Sequence, residues 1–417
     1  MPPGYHGPML PTPGLGERLV AALHGAHGEH PGHRAAHAKG TCCRATFTAS
    51  EAARGLSRAA HFEGHPVPAT VRFSNGSGIP AYPDYARSDG RGMAVKLALP
   101  DGSRADMVAL TLPVFFVRDP EAFIEFLAVT RPDPETRQPD LARVGEFLER
   151  HPETQAALGA AMSGALPASY LSAAYNGLHA FGLQDRAGAT TWVRYRWEPE
   201  EGEASVTSDE AHAGGRDYLQ DEIRTRLGAG PAVLRLKFIL AAPGDSLVDP
   251  TSPWPADREV VDAGRLEITT VEASDACDGL VFDPTNVVDG VTCSDDPILH
   301  ARSVAYARSF ADRRGIAAPT TAPATAAPDT GARALAAASD LRDGAMQAME
   351  IGGVRVAVAR VGGTLHAFQD TCSHRGCSLA DGALSGATVT CPCHGSQFDV
   401  TTGAVLRGPA REPVQAF

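Results

Sequence analysis

Two short stretches near the end of the chain carry side chains that bind metal. Cys372 and His374 form a C-x-H pair, Cys391 and His394 form a C-x-x-H pair, and residues 375 to 390 lie between them. Each pair can present one thiolate and one imidazole from a tight turn. Two sulfurs and two nitrogens suit a tetrahedral zinc ion, or an iron–sulfur centre with two Cys on one iron and two His on the other. Zinc fingers space their ligands as C-x-x-C and H-x-x-x-H, which this stretch does not do. Four protein ligands leave no open position, so a centre bound here can pass electrons but not bind substrate.

The paired loops, with Gly376, Gly395 and the following Gly408-Pro409-Ala410, resemble Rieske [2Fe–2S] domains. The resemblance implies Cys372, His374, Cys391 and His394 as cluster ligands. It also implies a disulfide between Cys377 and Cys393, which stand where high-potential Rieske proteins carry one. Ser396 matches a serine that hydrogen-bonds cluster sulfur in those proteins, and their nearby tyrosine is replaced by Phe398. Losing a donor to sulfur disfavours the more negative reduced cluster, so the expected potential lies below that of the respiratory proteins. The family pattern runs through one or two more strands after Pro409, and the short run to Phe417 leaves open whether another element or subunit closes the fold.

A second iron is implied upstream. The runs V-R-F-S-N (71–75), R-G-M-A-V-K (91–96) and D-M-V-A-L-T-L-P-V-F-F-V-R-D-P (106–120) resemble the core of haem catalases. Phe282-Asp-Pro-Thr-Asn286, followed by Arg302-Ser-Val-Ala-Tyr306, is similar to the stretch that carries their axial tyrosine, and Arg34-Ala-Ala-His37 to the stretch that carries their distal histidine. The absence of the long C-terminal extensions points to the small catalase-related peroxidase branch. The resemblance implies haem b, with Tyr306 on its iron. Arg302, four residues earlier and so on the same helix face, would supply a permanent charge beside the tyrosinate.

The same resemblance makes His37 the distal base that moves a proton from the near to the far oxygen of peroxide and leaves a ferryl haem. Ser74 would fix its tautomer. Arg34, Arg72 and Arg313 would hold haem propionates as guanidinium forks, and Phe116 and Phe123 would line the distal pocket. One departure is expected to matter: Thr111 stands where catalases place an asparagine amide, and a hydroxyl offers fewer donors, so peroxide disproportionation should be weak.

Peroxide disproportionation needs no external electrons, so a fused iron–sulfur carrier argues that electrons must reach the haem. Tethering raises the donor's local concentration to about the millimolar range. The chain therefore reads as a haem peroxidase, peroxygenase or monooxygenase acting on a small organic molecule with hydrogen peroxide or dioxygen, refilled by a ferredoxin-type reductase. A hydrogen peroxide-removing catalase and a peroxide sensor are the alternatives.

The elements that must position these residues are legible in part. Runs 68–74, 93–99, 106–112, 190–197, 233–240 and 265–271 read as strands, residues 119–130 as a helix behind Asp-Pro, and 141–162 as one or two helices. The expected class is α+β: a catalase-like antiparallel barrel with helices at 34–315, and a small all-β Rieske domain at 334–417. A Pro/Ala/Thr-rich linker at 316–333 joins them, and a flexible Gly/Pro/His-rich arm occupies 1–33, with His24, His27, His30 and His33 at every third position.

The chain is acidic, with formal net charge −12 and 43% hydrophobic residues, and lacks the basic patch that nucleic acid binding needs. With neither a leader-like segment nor a long apolar run, it reads as cytoplasmic and free of the membrane, and as a homo-oligomer by family resemblance. Cys42, Cys43, Cys277 and Cys293 show no ligand spacing and read as ordinary thiols.

Overall fold

A computed structural model of the chain describes residues 14–87, 89–133, 135–136, 138–315, 341–351, 354–374 and 376–417. Eight antiparallel strands close into a barrel: β1 (Gly40–Ala49), β2 (Val67–Asn75), β3 (Arg91–Ala98), β4 (Arg104–Leu110), β5 (Tyr175–Gln184), β6 (Thr190–Pro199), β7 (Ala232–Leu240) and β8 (Val260–Val271). Their spatial order is β5-β4-β3-β2-β1-β8-β7-β6, with β6 pairing back onto β5, and the short β9 (Val291–Cys293) lies on the far side of β5. Four of the expected strand runs fall within β2, β6, β7 and β8, while the runs 93–99 and 106–112 overrun the ends of β3 and β4 by one and two residues.

Alternation along the strands decides what faces where. Val71, Phe73, Met93, Val95 and Leu97 point into the barrel and join one large buried cluster with Phe47, Trp197 and Phe238. Arg72 and Ser74 point the other way, and the register sets Ser74 beside Gly92 and Gly92 beside Leu110. The outer wall made by β2, β3 and β4 therefore presents one row of side chains to whatever covers it.

Helices cover it. Asp119 caps α2 (Pro120–Thr130), its carboxylate accepting from Ala122 N–H, and the 141–162 region forms α3 (Leu141–Arg150) and α4 (Thr154–Ser163); α5 (Tyr218–Ala229) follows later in the chain. The long α6 (Pro297–Arg313) lies against a helix that the sequence reading missed, α1 (Leu15–His27). Residues 15–27 of the 1–33 segment expected to be a flexible arm thus form a packed helix. Leu19 is buried with Ala301 and Ala305 of α6, and Gly16 sits where an added Cβ would lie 2.7 Å from the Val304 carbonyl oxygen. The apolar positions Leu15, Leu19, Val20 and Leu23 are the helical stripe that the Gly/Pro/His composition obscured. The first thirteen residues and the linker at 316–333 lie outside the described residues.

The C-terminal part is all-β. β10 (Met346–Ile351), β11 (Val354–Val361) and β12 (Thr364–Gln369) form one sheet, and β13 (Ala383–Ser385), β14 (Thr388–Thr390), β15 (Gln397–Asp399) and β16 (Val405–Arg407) a second. The last residues close the first sheet themselves: Gln369 N–H donates to the Gln415 carbonyl at 2.7 Å and Phe417 N–H to the Ala367 carbonyl at 2.9 Å. No helix among the described residues is long and apolar enough to cross a membrane.

Two cysteines expected as ordinary thiols are not. Cys42 on β1 and Cys277 form a disulfide, with Cα atoms 6.2 Å apart, which ties the loop before Phe282 to the barrel. A spacing of 235 residues carries no local signal. Cys43, one residue on, points into the barrel core, where burial pushes its thiol up to about 12.

Candidate functional site

Two adjoining cavities lie between the outer barrel wall, α1 and α6. His37, Leu110, Ala305 and Tyr306 line both; Arg34, Arg72, Ser74, Phe282 and Arg313 line one, and Phe115, Phe123 and Arg302 the other. His37 has φ 55°, a left-handed conformation that a non-glycine residue adopts at a cost and that concentrates at functional sites. Its Nδ1 lies 3.0 Å from Ser74 Oγ. Gly92 makes room for the ring, since a Cβ there would come within 2.8 Å of both the imidazole and the Ser74 hydroxyl. Burial, with the charges of Arg72 and Arg302 nearby, pulls the imidazole down to about 3, so it is neutral and able to accept a proton at physiological pH.

Tyr306 is held from the opposite side. Arg302, one turn earlier on α6, donates from Nε at 3.1 Å and from a terminal nitrogen at 2.9 Å to the phenol oxygen. Its other terminal nitrogen lies 2.9 Å from His179 Nε2, and His179 Nδ1 lies 2.6 Å from Asp296 Oδ2. The carboxylate accepts a hydrogen bond from Nδ1–H, which leaves Nε2 to accept from arginine. Burial pulls His179 down to about 4 even with Asp296 beside it. Asp296 also caps α6 through its other oxygen, accepting from Ile298 N–H at 2.8 Å. Asp296, His179, Arg302 and Tyr306 form one connected row. Sequence reasoning missed its first two members; the Asp-Pro at the head of α6 was the available signal.

Three guanidiniums converge on the first cavity. Arg34 donates to the Cys277 carbonyl at 2.7 Å, Arg72 to the His37 carbonyl at 2.9 Å and Arg313 to the Leu280 carbonyl at 2.9 Å. Burial and then mutual repulsion pull Arg72 well below its ordinary value, and Arg313 falls to about 9. All three stay charged at neutral pH. Asp278, 4.0 Å from Arg34 and largely exposed, is their nearby anion. A buried excess of positive charge beside an apolar slot with a tyrosine oxygen fits a flat group with two carboxylates, as haem has.

Thr111 and Phe116 do not line this slot. The Thr111 hydroxyl accepts from Arg91 N–H at 3.0 Å, on the other face of the wall, and Phe116 stacks on Phe126 with ring centroids 4.8 Å apart. Their neighbours Leu110 and Phe115 line the cavity. Both expectations were displaced by one residue, and in an extended chain one residue inverts the side-chain direction.

The C-terminal loops build a second cradle, and they are near copies of each other. Cys372 N–H donates to the Cys377 carbonyl and Gly376 N–H to the Cys372 carbonyl, both at 2.8 Å. In the other loop Cys391 N–H donates to the Ser396 carbonyl at 2.8 Å and Gly395 N–H to the Cys391 carbonyl at 3.0 Å. Gly376 and Gly395 both have φ 76°, the conformation each turn requires.

Cys372 and Cys391 carry no disulfide and are buried. A hydrogen bond to Cys372, which places the two sulfurs against each other, and burial push the Cys391 thiol well up. The His374 and His394 rings stand edge to face at 4.8 Å, and the buried His394 Nδ1 makes no hydrogen bond. An inward-facing imidazole nitrogen and two close sulfurs fit a cluster with mixed ligands. Cys377 and Cys393 form a disulfide across the loops, with Cα atoms 6.5 Å apart. Their sulfurs lie within 4.8 Å of Cys391 Sγ and of each other, yet bonding to each other removes them as thiolate ligands.

The two cradles meet. Val281 and Phe310 of the barrel part are buried in the same cluster as Cys372, Cys391 and Phe398, with Tyr306 packed against it. Arg104 donates to the Pro392 carbonyl at 3.2 Å, Asp101 pairs with Arg407, and His394 Nε2 lies 3.3 Å from Asp283 Oδ2.

Comparison with known proteins agrees with this geometry. The catalase family model matches residues 18–357 and the Rieske [2Fe-2S] domain model residues 332–417; the shared stretch includes β10, which pairs within the C-terminal sheet. The chain is 40% identical to the catalase-related peroxidase of Mycolicibacterium paratuberculosis, over 72% of this chain and 95% of that one. It is 35% identical to the catalase-related peroxidase of Synechococcus elongatus, over 72% and 89%. A fungal catalase structure aligns with TM-score 0.62 at 24% identity, over 75% of this chain and 64% of that one, and thus shares the fold. The chain belongs to the catalase family and carries a C-terminal Rieske domain.

Proposed function

We propose that the protein is a haem-dependent peroxidase-type oxidoreductase that oxidises a small organic molecule and receives electrons from its own Rieske domain. The observation that carries this reading is the burial of the cluster loops against the wall of the slot between His37 and Tyr306. A catalase that only disproportionates peroxide would have no use for such a donor.

Haem b, when bound, supplies a redox-active iron able to activate peroxide or dioxygen. Tyr306 would hold that iron, and Arg34, Arg72 and Arg313 its carboxylates. Arg302 presents two donors to the phenol oxygen, and His179 with Asp296 keeps that guanidinium in place. His37 is a neutral imidazole whose Nδ1 is set by Ser74. It can take a proton from one oxygen of a peroxide entering the slot and deliver it to the other, leaving oxygen. Leu110, Phe115 and Phe123 make the same side of the slot apolar, with no amide to orient peroxide. That favours an organic substrate over a second peroxide.

Cys372, His374, Cys391 and His394 would hold the [2Fe–2S] cluster. The Ser396 hydroxyl, which accepts from Ala410 N–H at 3.0 Å, keeps its own proton for a cluster sulfur. The fused donor also supports the dioxygen-dependent monooxygenase reading, in which a ferredoxin-type reductase refills the cluster. Cytoplasmic location and assembly into a homo-oligomer belong to the same proposal.

Anaerobic reduction of the purified protein, followed by optical and electron paramagnetic resonance spectra, tests the reading. Both iron centres should be present, and reduction of the cluster should be followed by reduction of the haem. A protein with haem alone, or one whose haem stays oxidised beside a reduced cluster, would overturn it.

A further inference from the structure

We propose that Asp283 is the positioning residue through which the cluster loop docks on the haem domain of its own chain, and that it defines the route by which an electron crosses. This rests on the electron-fed reading above. Asp283 is 1% exposed. Its Oδ1 accepts from the Thr285 N–H and hydroxyl, both at 2.8 Å, and its Oδ2 accepts from the Ser303 hydroxyl and faces His394 Nε2 at 3.3 Å. A buried carboxylate is costly unless charged or hydrogen-bonding partners surround it. Here the last partner comes from the Rieske loop.

The loop is rigid on its other side. Asp283 N–H donates to Asp106 Oδ2 at 3.0 Å, Asp106 N–H donates to the Asn286 carbonyl at 2.9 Å, and Asp106 is itself paired with Lys96 at 2.6 Å, with both side chains buried. From Asp283 two short paths lead to the haem slot. One is covalent, to Phe282 on its wall. The other passes through Ser303, which stands one helical turn before Tyr306.

His374, by contrast, lines an open cleft of about 940 Å³ between Val287–Thr292 and Gly408–Glu412. The two cluster histidines therefore face different ways, one to the haem domain and one to the cleft.

The step is a one-electron transfer. The reduced cluster loses one electron, ferric haem iron gains it, and no bond or proton need change. The cluster is refilled by a one-electron donor protein of the ferredoxin-reductase class, or in the test by a photoreduced flavin.

The test uses the full chain with both prosthetic groups bound, flash-reduced without oxygen, as wild type, Asp283→Ala and Asp283→Asn. Wild type should show haem reduction at a rate independent of protein concentration. Asp283→Ala should slow it about tenfold or more, the usual effect of removing a group that faces and orients a metal ligand. Asp283→Asn removes a negative charge beside the cluster and should raise the cluster's potential, read by voltammetry. Should Asp283→Ala fail to load both groups, the Asn variant carries the test, and an unmoved potential overturns the inference. An unchanged rate in Asp283→Ala overturns it while the electron-fed reading stands; a wild-type rate proportional to concentration overturns both, because the donor would then be another molecule's cluster. No transfer in the wild type overturns both.

Discussion

The haem slot and the cluster cradle solve the same problem, holding an iron, by opposite means. The cradle takes its ligands from two adjacent loops with matching hydrogen bonds, Gly376 and Gly395 repeating one conformation at φ 76°. The slot gathers His37, Ser74, Leu110, His179, Phe282 and Tyr306 from a helix, several strands and loops, and depends on strand parity and helix packing far from the iron. Local construction makes a site modular. Dispersed construction makes its residues depend on the whole barrel.

The sharpest way to break the comparison is to remove one ligand from the modular site. His374→Ala should abolish the electron paramagnetic resonance signal of the reduced cluster and stop electron delivery, while the haem absorption band remains. If the haem band disappeared as well, the two sites would be one folding unit and the contrast would be lost. His37→Gln tests the dispersed site: it should keep the haem yet slow its oxidation by added peroxide about 10²- to 10⁴-fold, the range for a positioned acid–base group. A loss below tenfold in stopped-flow mixing would remove His37 from that role.

The same contrast explains what the sequence disclosed. The cluster ligands could be read by spacing because a loop's chemistry is local. The barrel strands were legible through alternation, Tyr306 through its resemblance to the axial-tyrosine stretch of haem catalases, and Arg302 through the four-residue step between them on α6. Leu110 and Phe115 were missed for Thr111 and Phe116, because a one-residue error along an extended chain turns a wall residue outward. His179 and Asp296 are 117 residues apart and meet only in the folded barrel. α1 was hidden by composition, although its apolar stripe was present. Asp283 stood in a recognisable motif, yet nothing in the sequence pairs it with His394.

Three histidines of the barrel part, His37 and His179 of the dispersed site and His61 beside Phe62, should also govern acid stability. Burial pulls His37 and His61 down to about 3 and His179 to about 4, whereas in the unfolded chain each returns to an ordinary histidine value near 6.5. Between those values the unfolded state binds the proton and the native state does not, so stability is full above about pH 6.5 and falls as pH drops toward 4. Each histidine contributes a slope of about 1.4 kcal/mol per pH unit. Asp89, buried and pushed up to about 6, opposes one of them below that pH. Denaturant titrations at pH 7, 6 and 5 should therefore show a loss approaching about 3 kcal/mol per unit at the acid end. A flat profile would mean that these imidazoles are hydrated in solution.

The smallest effect probes the cradle without breaking it. Phe398 is fully buried in the cluster core, paired across β14 and β15 with Val389. Phe398→Tyr places a hydroxyl there, and a buried hydroxyl without a partner costs about 1–3 kcal/mol. If a cluster sulfur accepts it, the added donor stabilises the reduced, more negative cluster and the potential rises, with little change in the melting temperature. If the potential stays level or falls while the melting temperature drops, the hydroxyl has found no sulfur, and Ser396 is left as the proposed side-chain donor that tunes the cluster.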